Sequence, residues 1–255
     1  KKFIYWILIQ HRILRDANLV LFTSKEEENL AKKSNFYLYD FKSDILKLPI
    51  DKNPYKYNKK DNSFYKKFPK LKNKKIILYL GRIDKKKGLD LLIKAFAILI
   101  KKNDSNKEIH LVIAGPYEFF FYTKMINLIK SLKLDKFITM MGPLYNKLKW
   151  DAFNSCDVFC LPTHQENFGI TIAESLSVGK PVITTNKTNI WKILRNYKSG
   201  FTSNDDYNGL LKSLIKWNLL KTKEYKQMSK NSFKCFKENF YKDIVIKDYK
   251  RILNN

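Results

Sequence analysis

Val158-Phe-Cys-Leu-Pro162 and, four residues on, Glu166-Asn-Phe-Gly-Ile-Thr-Ile-Ala-Glu174 decide how this chain is read. The first run is short, apolar and closed by proline, the pattern of a buried strand. The second places Gly169 at a turn into a helix-like run that ends near Gly179-Lys-Pro181, and glycine and proline are the residues that stop helices. A helix advances about 1.5 Å and about 100° per residue, so eight helical steps leave Glu166 and Glu174 about 12 Å apart and about 80° out of line. Two carboxylates so placed are a poor acid–base pair for one bond. They can hold opposite ends of one elongated ligand. Asn167 is read as the helix N-cap, which turns the amides of Phe168, Gly169 and Ile170 outward at the positive end of the helix dipole. Such a terminus accepts an anion, and Gly169 lacks the Cβ that would keep a phosphate away. Taken alone, the pattern also fits an ordinary capped helix with two solvated glutamates, because strand–turn–helix units are common in α/β proteins.

Working outward, short apolar runs alternate with helical stretches. Strands are predicted at Leu19–Phe22, Ile45–Pro49, Ile76–Leu80, Ile109–Ala114, Phe137–Met141, Val158–Leu161 and Val182–Thr185. Helices are predicted at Lys2–Arg15, Leu89–Lys102, Tyr122–Leu132, Lys147–Asn154, Ile170–Val178, Tyr207–Leu219, Glu224–Glu238 and Lys242–Leu253. Thr23 or Ser24 reads as an N-cap before Glu26, Glu27 and Glu28, and residues 51–75 read as a linker without clear periodicity. Alternation of this kind predicts an α/β fold, a doubly wound, parallel, Rossmann-like sheet whose ligands sit beyond the carboxyl ends of the strands. The turns after three of those ends carry Arg82, Gly115 and Glu166, so the three converge on one edge. Phe233, Phe236, Phe240, Ile244 and Val245 recur at mostly helical spacing and read as a packing stripe.

Composition narrows the function. The formal charge is +26 over 255 residues, which permits binding to nucleic acid or anionic lipid. The lysine excess accompanies an excess of Asn, Ile, Tyr and Phe, all encoded by A/T-rich codons, so genome bias explains the charge without a polyanionic partner. Only Arg12, Arg15, Arg82, Arg195 and Arg251 could make bidentate base or phosphate contacts, and no nucleic-acid partner is expected. Three cysteines argue against a disulfide scaffold. Cys156, Cys160 and His164 share a zinc-like spacing, but no fourth ligand is in view and buried thiols are the better reading. The apolar run Phe3–Ile9 is too short for a bilayer span and lacks a cleavage-site pattern, and Lys1 in place of methionine reads as a fragment or a trimmed chain. No Gly-x-Gly-x-x-Gly follows a predicted strand, which disfavours a dinucleotide-dependent dehydrogenase.

The stretch Leu161 to Val182 closely resembles the signature of family 4 glycosyltransferases, retaining enzymes of the GT-B architecture. Tyr79-Leu-Gly-Arg-Ile-Asp-Lys-Lys-Lys-Gly-Leu-Asp90 is similar to that family's phosphate-binding turn, and Leu111-Val-Ile-Ala-Gly-Pro116 and Met141-Gly-Pro143 fall in the family's order. The resemblance runs from about Asp16 to about Leu253. It implies four parts: the end of an acceptor-binding domain at 1–50, a linker at 51–74, a nucleotide-sugar donor-binding domain at 75–220, and C-terminal helices at 221–255. Leu48-Pro-Ile-Asp51 lacks the asparagine–glycine of the family's turn, and Thr184 to Leu194 departs from its paired glycines and proline–glutamate.

The resemblance also implies roles. Glu166, Arg82 and Lys87 become the catalytic candidates, with the two cations on the diphosphate and Glu166 on the transferred sugar. Gly81, Gly115, Pro116, Asn167, Phe168, Gly169, Ile170 and Glu174 become the donor-binding candidates, with Glu174 on the ribose hydroxyls and Gly115 and Pro116 near the base. Gly81 is read as letting the backbone turn after its strand, and Gly88 as freeing the approach to the next helix. His164 is read as structural. The family is usually metal-independent, so no metal or cofactor is expected, the donor being a nucleoside-diphosphate sugar. The implied activity is transfer of a hexose from that sugar to an acceptor hydroxyl with retention of configuration, in glycan biosynthesis. The implied acceptor is a saccharide or a lipid-linked molecule, and weak contact with an anionic membrane is compatible. A cytoplasmic location, peripheral to the cytoplasmic membrane face, is the matching expectation. The alternative is a nucleotide-binding module without turnover, because most of the acceptor domain is missing from this reading.

Overall fold

The computed structural model describes Tyr5, Ile9 and residues 11–34, 41–102 and 108–253. Half of the predicted helix at 2–15 lies outside the described residues; within them, His11–Asp16 is helical. Among the described residues eight strands form two parallel sheets. The small one pairs β1 (Val20–Phe22) with β2 (Ser43–Ile45). The large one holds β3 (Lys75–Leu80), β4 (Ile109–Ala114), β5 (Ile138–Met140), β6 (Val158–Leu161), β7 (Val182–Thr185) and β8 (Gly200–Ser203). Its order is β5-β4-β3-β6-β7-β8, every neighbour parallel.

Such a sheet must bury both faces, so its strands read as continuous rather than alternating apolar runs. Lys-Ile-Ile-Leu-Tyr-Leu in β3 and Ile-His-Leu-Val-Ile-Ala in β4 follow that rule, with five and six buried residues. The helix Leu89–Lys102 supplies one cover. Leu89, Leu92, Ile93, Phe96, Leu99 and Ile100 make its buried stripe, and it packs beside the helix Tyr207–Asn218. The helix Thr222–Asn239 packs on Ile170–Ser177.

From β3 the chain winds outward through β4 to β5, then returns to the other side of β3 and winds through β6, β7 and β8. The loops leaving β3 and β6 therefore diverge, and a crevice opens between them. This switch point is where the candidate residues lie.

Several expectations are corrected. The strand expected at Ile45–Pro49 lies earlier, at Ser43–Ile45. Residues 51–75 are not featureless: Asn62 caps a short helix, Ser63–Lys67, and a 3-10 turn follows at Pro69–Leu71. Phe64 and Leu71 are buried there, aromatic and leucine anchors too sparse to show a period. β8 and the helix Trp191–Asn196 were not anticipated, because Gly200-Phe-Thr-Ser203 is short and half polar. In the predicted packing stripe Phe236, Phe240 and Val245 are fully buried, whereas Phe233 and Ile244 are 41% and 38% exposed. Among the described residues no helix is long and apolar enough to cross a membrane.

Candidate functional site

The first site loop leaves β3. Gly81 donates its amide to the Ala114 carbonyl, and the buried Tyr79 hydroxyl donates to the Arg82 carbonyl at 2.7 Å. Burial raises the Tyr79 phenol well above its ordinary range, so it remains a donor. Asp84 then caps the turn Lys85–Lys87, accepting from the Lys86 amide. Gly88 follows with φ +65°, and a Cβ there would lie 1.9 Å from the Pro162 carbonyl oxygen. Glycine is thus required by the close approach of the loop after β6, not only by the entry to the next helix.

Gly81 itself is not the constrained glycine of this edge. A Cβ on it would meet Leu161 at an ordinary 3.5 Å, while a Cβ on Gly115, at φ +143°, would lie 1.9 Å from the Gly81 carbonyl oxygen. Gly115 lets the ends of β3 and β4 close on each other. Pro116 continues that turn and accepts from the Ile83 amide at 2.8 Å.

The loop after β6 is fastened to the basic turn. The His164 amide and the Thr163 hydroxyl both donate to the Lys86 carbonyl, at 2.8 and 3.0 Å. The His164 ring meets Asp205 at 2.6 Å through Nδ1, a structural partnership. Glu166 is held through its backbone by Lys187 and Asn189. Its side chain accepts from Lys87 Nζ at 2.5 Å, with the two side chains only 15% and 18% exposed. The pairing brings the acid of one loop to the cation of the other across the switch point. Arg82 lies on the same edge but is 69% exposed and pairs with Asp84 at 3.1 Å.

The helix N-cap is Gly169, not Asn167, and no side chain caps it. The Asn167 amide instead donates to Glu27 at 2.9 Å and accepts from Asn189 at 2.7 Å, tying the loop to the helix Lys25–Ser34. Glu27 lies far away in sequence, which is why local reading made Asn167 a cap. Gly169 has φ +74°. Among the described residues no acceptor meets the amides of Phe168, Gly169, Ile170 or Thr171, so the helix opens with its donors unspent. Phe168 is buried edge-on against Phe240 at 5.5 Å.

Glu174 sits one turn further along the helix and pairs with Lys149 at 2.6 Å, the side chains 13% and 23% exposed. Lys149 was missed by sequence reading; it lies on Asn146–Ser155, and nothing local marks it. A cavity of ≈ 660 Å³ opens beside Ile170 and Glu174, bounded by residues 49–54, Trp150 and Tyr241. Another of ≈ 650 Å³ at the β8 edge contains none of the nominated residues. Cys156 and Cys160 are buried thiols, Cys156 pushed up to about 12 by burial. Among the described residues no cluster of His, Cys, Asp and Glu could hold a metal ion.

The profile of the family described as glycosyl transferases group 1 matches residues 61–234. The chain belongs to the group 1 glycosyl transferases. Among relatives of this family, the capsular polysaccharide biosynthesis glycosyltransferase CapM of Staphylococcus aureus is 31% identical over 156 residues, 57% of this chain and 37% of CapM. The mannosylfructose-phosphate synthase of Agrobacterium fabrum is 30% identical over 115 residues, 44% of this chain and 25% of the synthase. The chain thus spans between a quarter and two fifths of the length of these curated relatives. The fold is also that of a sucrose-phosphate synthase from Thermosynechococcus elongatus, with a TM-score of 0.81, 18% identity, and coverage of 97% of this chain and 60% of the other. It matches the Anabaena HepE protein in complex with UDP equally well, at TM-score 0.82 and 18% identity, covering 96% and 65%. Membership of the group 1 family agrees with the GT-B resemblance read from the sequence.

Proposed function

We propose that this chain holds the donor in a retaining hexosyltransferase that moves a hexose from a nucleoside-diphosphate sugar to an acceptor hydroxyl. The observation that carries the reading is the Lys87–Glu166 contact at the sheet's switch point, beside a helix that opens with unspent amides. Arg82, Lys87 and the amides of Phe168, Gly169 and Ile170 face the diphosphate. As the sugar–oxygen bond breaks, negative charge grows on the departing phosphate, where these groups are preorganised. One cation at about 4 Å contributes roughly 4 kcal/mol at an effective dielectric near 20.

The two ion pairs fit this role without being broken. An ammonium has three donors, so Lys87 keeps Glu166 while turning another proton to a phosphate oxygen. Glu166 Oε2 takes Lys87, which leaves Oε1 for a sugar hydroxyl. Glu174 Oε1 takes Lys149, which leaves Oε2 for the ribose. Gly115 and Pro116 border the base, and Asn167 orients the loop through Glu27 and Asn189. The acceptor, a saccharide or a lipid-linked molecule, would enter from the side of β1 and β2, at the cytoplasmic face of a membrane.

Isothermal titration of UDP, chosen because the similar Anabaena protein was crystallised with it, tests the reading. Wild type should bind, and Arg82→Ala and Glu174→Ala should each bind about tenfold more weakly or worse. Equal affinity in all three proteins rejects these assignments.

A further inference from the structure

The amino-terminal ends of β3, β4 and β5 lie at the opposite edge of the sheet from Lys87 and Glu166, and they frame a further cavity of ≈ 600 Å³. Lys67, Lys70, Lys74 and Lys136 line it, against a single acid, Asp135. Two polar side chains, His110 of β4 and Thr139 of β5, also line it, with His110 Nε2 2.8 Å from Thr139 Oγ1. Lys74 also reaches Glu108, at 3.0 Å, and the apolar lining comes from Phe68, Pro69 and Leu71.

Lysines stud this whole surface, but here they surround something that a solvated face lacks. His110 is only 8% exposed, in a strand whose other residues are aliphatic. Burial and the nearby Lys74 push its imidazole down to about 4, so at neutral pH it adds no charge, and the four lysines are offset by Asp135 on the wall and by Glu108 on Lys74, which leaves a net excess of positive charge. Four cations around a concave, partly apolar chamber with an imidazole and a hydroxyl offer charge, hydrogen bonds and a wall for an organic body. The volume is far more than a bare phosphate fills. We propose that this cavity binds a small soluble phosphomonoester, its phosphate among the lysines beside His110 and Thr139 and its organic body against Phe68 and Leu71. The site is separate from the donor crevice, so its ligand does not compete with the nucleotide sugar.

The test is a pH titration of the His110 ring protons by NMR on the full chain, with glycerol 3-phosphate as the probe. The chain has three histidines, and the His110→Gln spectrum assigns the signal. The phosphate dianion should move the His110 resonance saturably and raise its pKa by about one unit, as an opposite charge nearby does. Lys70→Gln combined with Lys74→Gln should weaken that apparent affinity roughly tenfold, and Lys136→Gln alone severalfold, which serves if the double variant does not fold. Arg82→Ala should leave it unchanged. The proposal fails if potassium chloride of matched ionic strength gives the same shift, if no saturable shift occurs, or if the lysine variants bind like wild type. It fails equally if phosphatidic acid vesicles shift His110 while glycerol 3-phosphate does not, since the surface would then be a lipid contact.

Discussion

Lys87 and Glu166 are 79 positions apart in sequence and 2.5 Å apart in space, each more than four-fifths buried. Removing one partner strands the other's charge in a place water reaches poorly, whereas replacing both need cost little. Lys87→Met should therefore lower unfolding stability by about 1–3 kcal/mol, and adding Glu166→Gln should recover most of that loss while UDP binding stays weak. Urea unfolding and titration calorimetry on the same three proteins check both halves; recovered binding in the double variant would show that the pair serves only the fold. The glycines divide as sharply. Gly115→Ala drives a Cβ to 1.9 Å from the Gly81 carbonyl at a φ that side chains avoid, and should cost about 3 kcal/mol or more. Gly81→Ala makes only an ordinary contact with Leu161 and should cost under about 1 kcal/mol, as measured by the same unfolding curves. At this scale the residue types were legible and some of their reasons were not. Gly81 reads as the turn-maker because it follows the strand, yet the steric demand falls on Gly115, which only the approach of two strand ends reveals. Asn167 has the chemistry of a cap, and a glutamate from another element takes its amide instead.

Strands buried on both faces announce themselves as apolar runs, which is why β4, β6 and β7 were legible to the residue and β3 nearly so. The helix Leu89–Lys102 was equally plain, because six apolar residues recur on its inner face. Edge strands and one-turn helices carry no such period. β8 is half polar, and the helix Ser63–Lys67 is fixed by Phe64 burying itself and by Asp151 accepting from the Ser63 amide and hydroxyl. Within β4, His110 interrupts the aliphatic run, and its depressed pKa makes a prediction for the whole strand. Between its ordinary value of 6.5 and about 4, the unfolded chain takes up a proton that the folded imidazole refuses. The contribution is complete above pH 6.5 and fades as acid is added down to about pH 4. From pH 7 to pH 5 it amounts to about 2 kcal/mol. Urea unfolding at the two pH values should show wild type losing that much more than His110→Gln; parallel losses would mean the imidazole protonates freely in the fold.

Across the whole molecule the segments 47–50 and 239–242 are brought together beside the candidate site by contacts that no local pattern encodes. Ile50 donates its amide to the Phe240 carbonyl at 2.8 Å, Lys242 donates back to Ile50 at 3.2 Å, and Lys47 reaches Asn239. Phe240 is fully buried and stands edge-on to Phe168, one residue before the glycine that opens the anion-facing helix. The C-terminal helices thus clamp the segment 45–50 on one side and the Phe168–Gly169 turn on the other. Phe240→Ala should cost about 3–5 kcal/mol through the cavity it leaves. If the ring also sets the turn, UDP affinity should fall severalfold even where the variant remains folded, because amides out of register no longer point at one phosphate. Trp217→Leu is the matching control: Trp217 is equally buried but lies on Tyr207–Asn218, under Lys75 and away from every nominated residue. It should lose stability and keep its affinity. Titration of both proteins at a temperature where circular dichroism shows each fully folded separates the cases. Equal UDP affinity in Phe240→Ala and Trp217→Leu would reduce the C-terminal clamp to a packing element, whereas a loss confined to Phe240→Ala would make it part of how the donor loop is held.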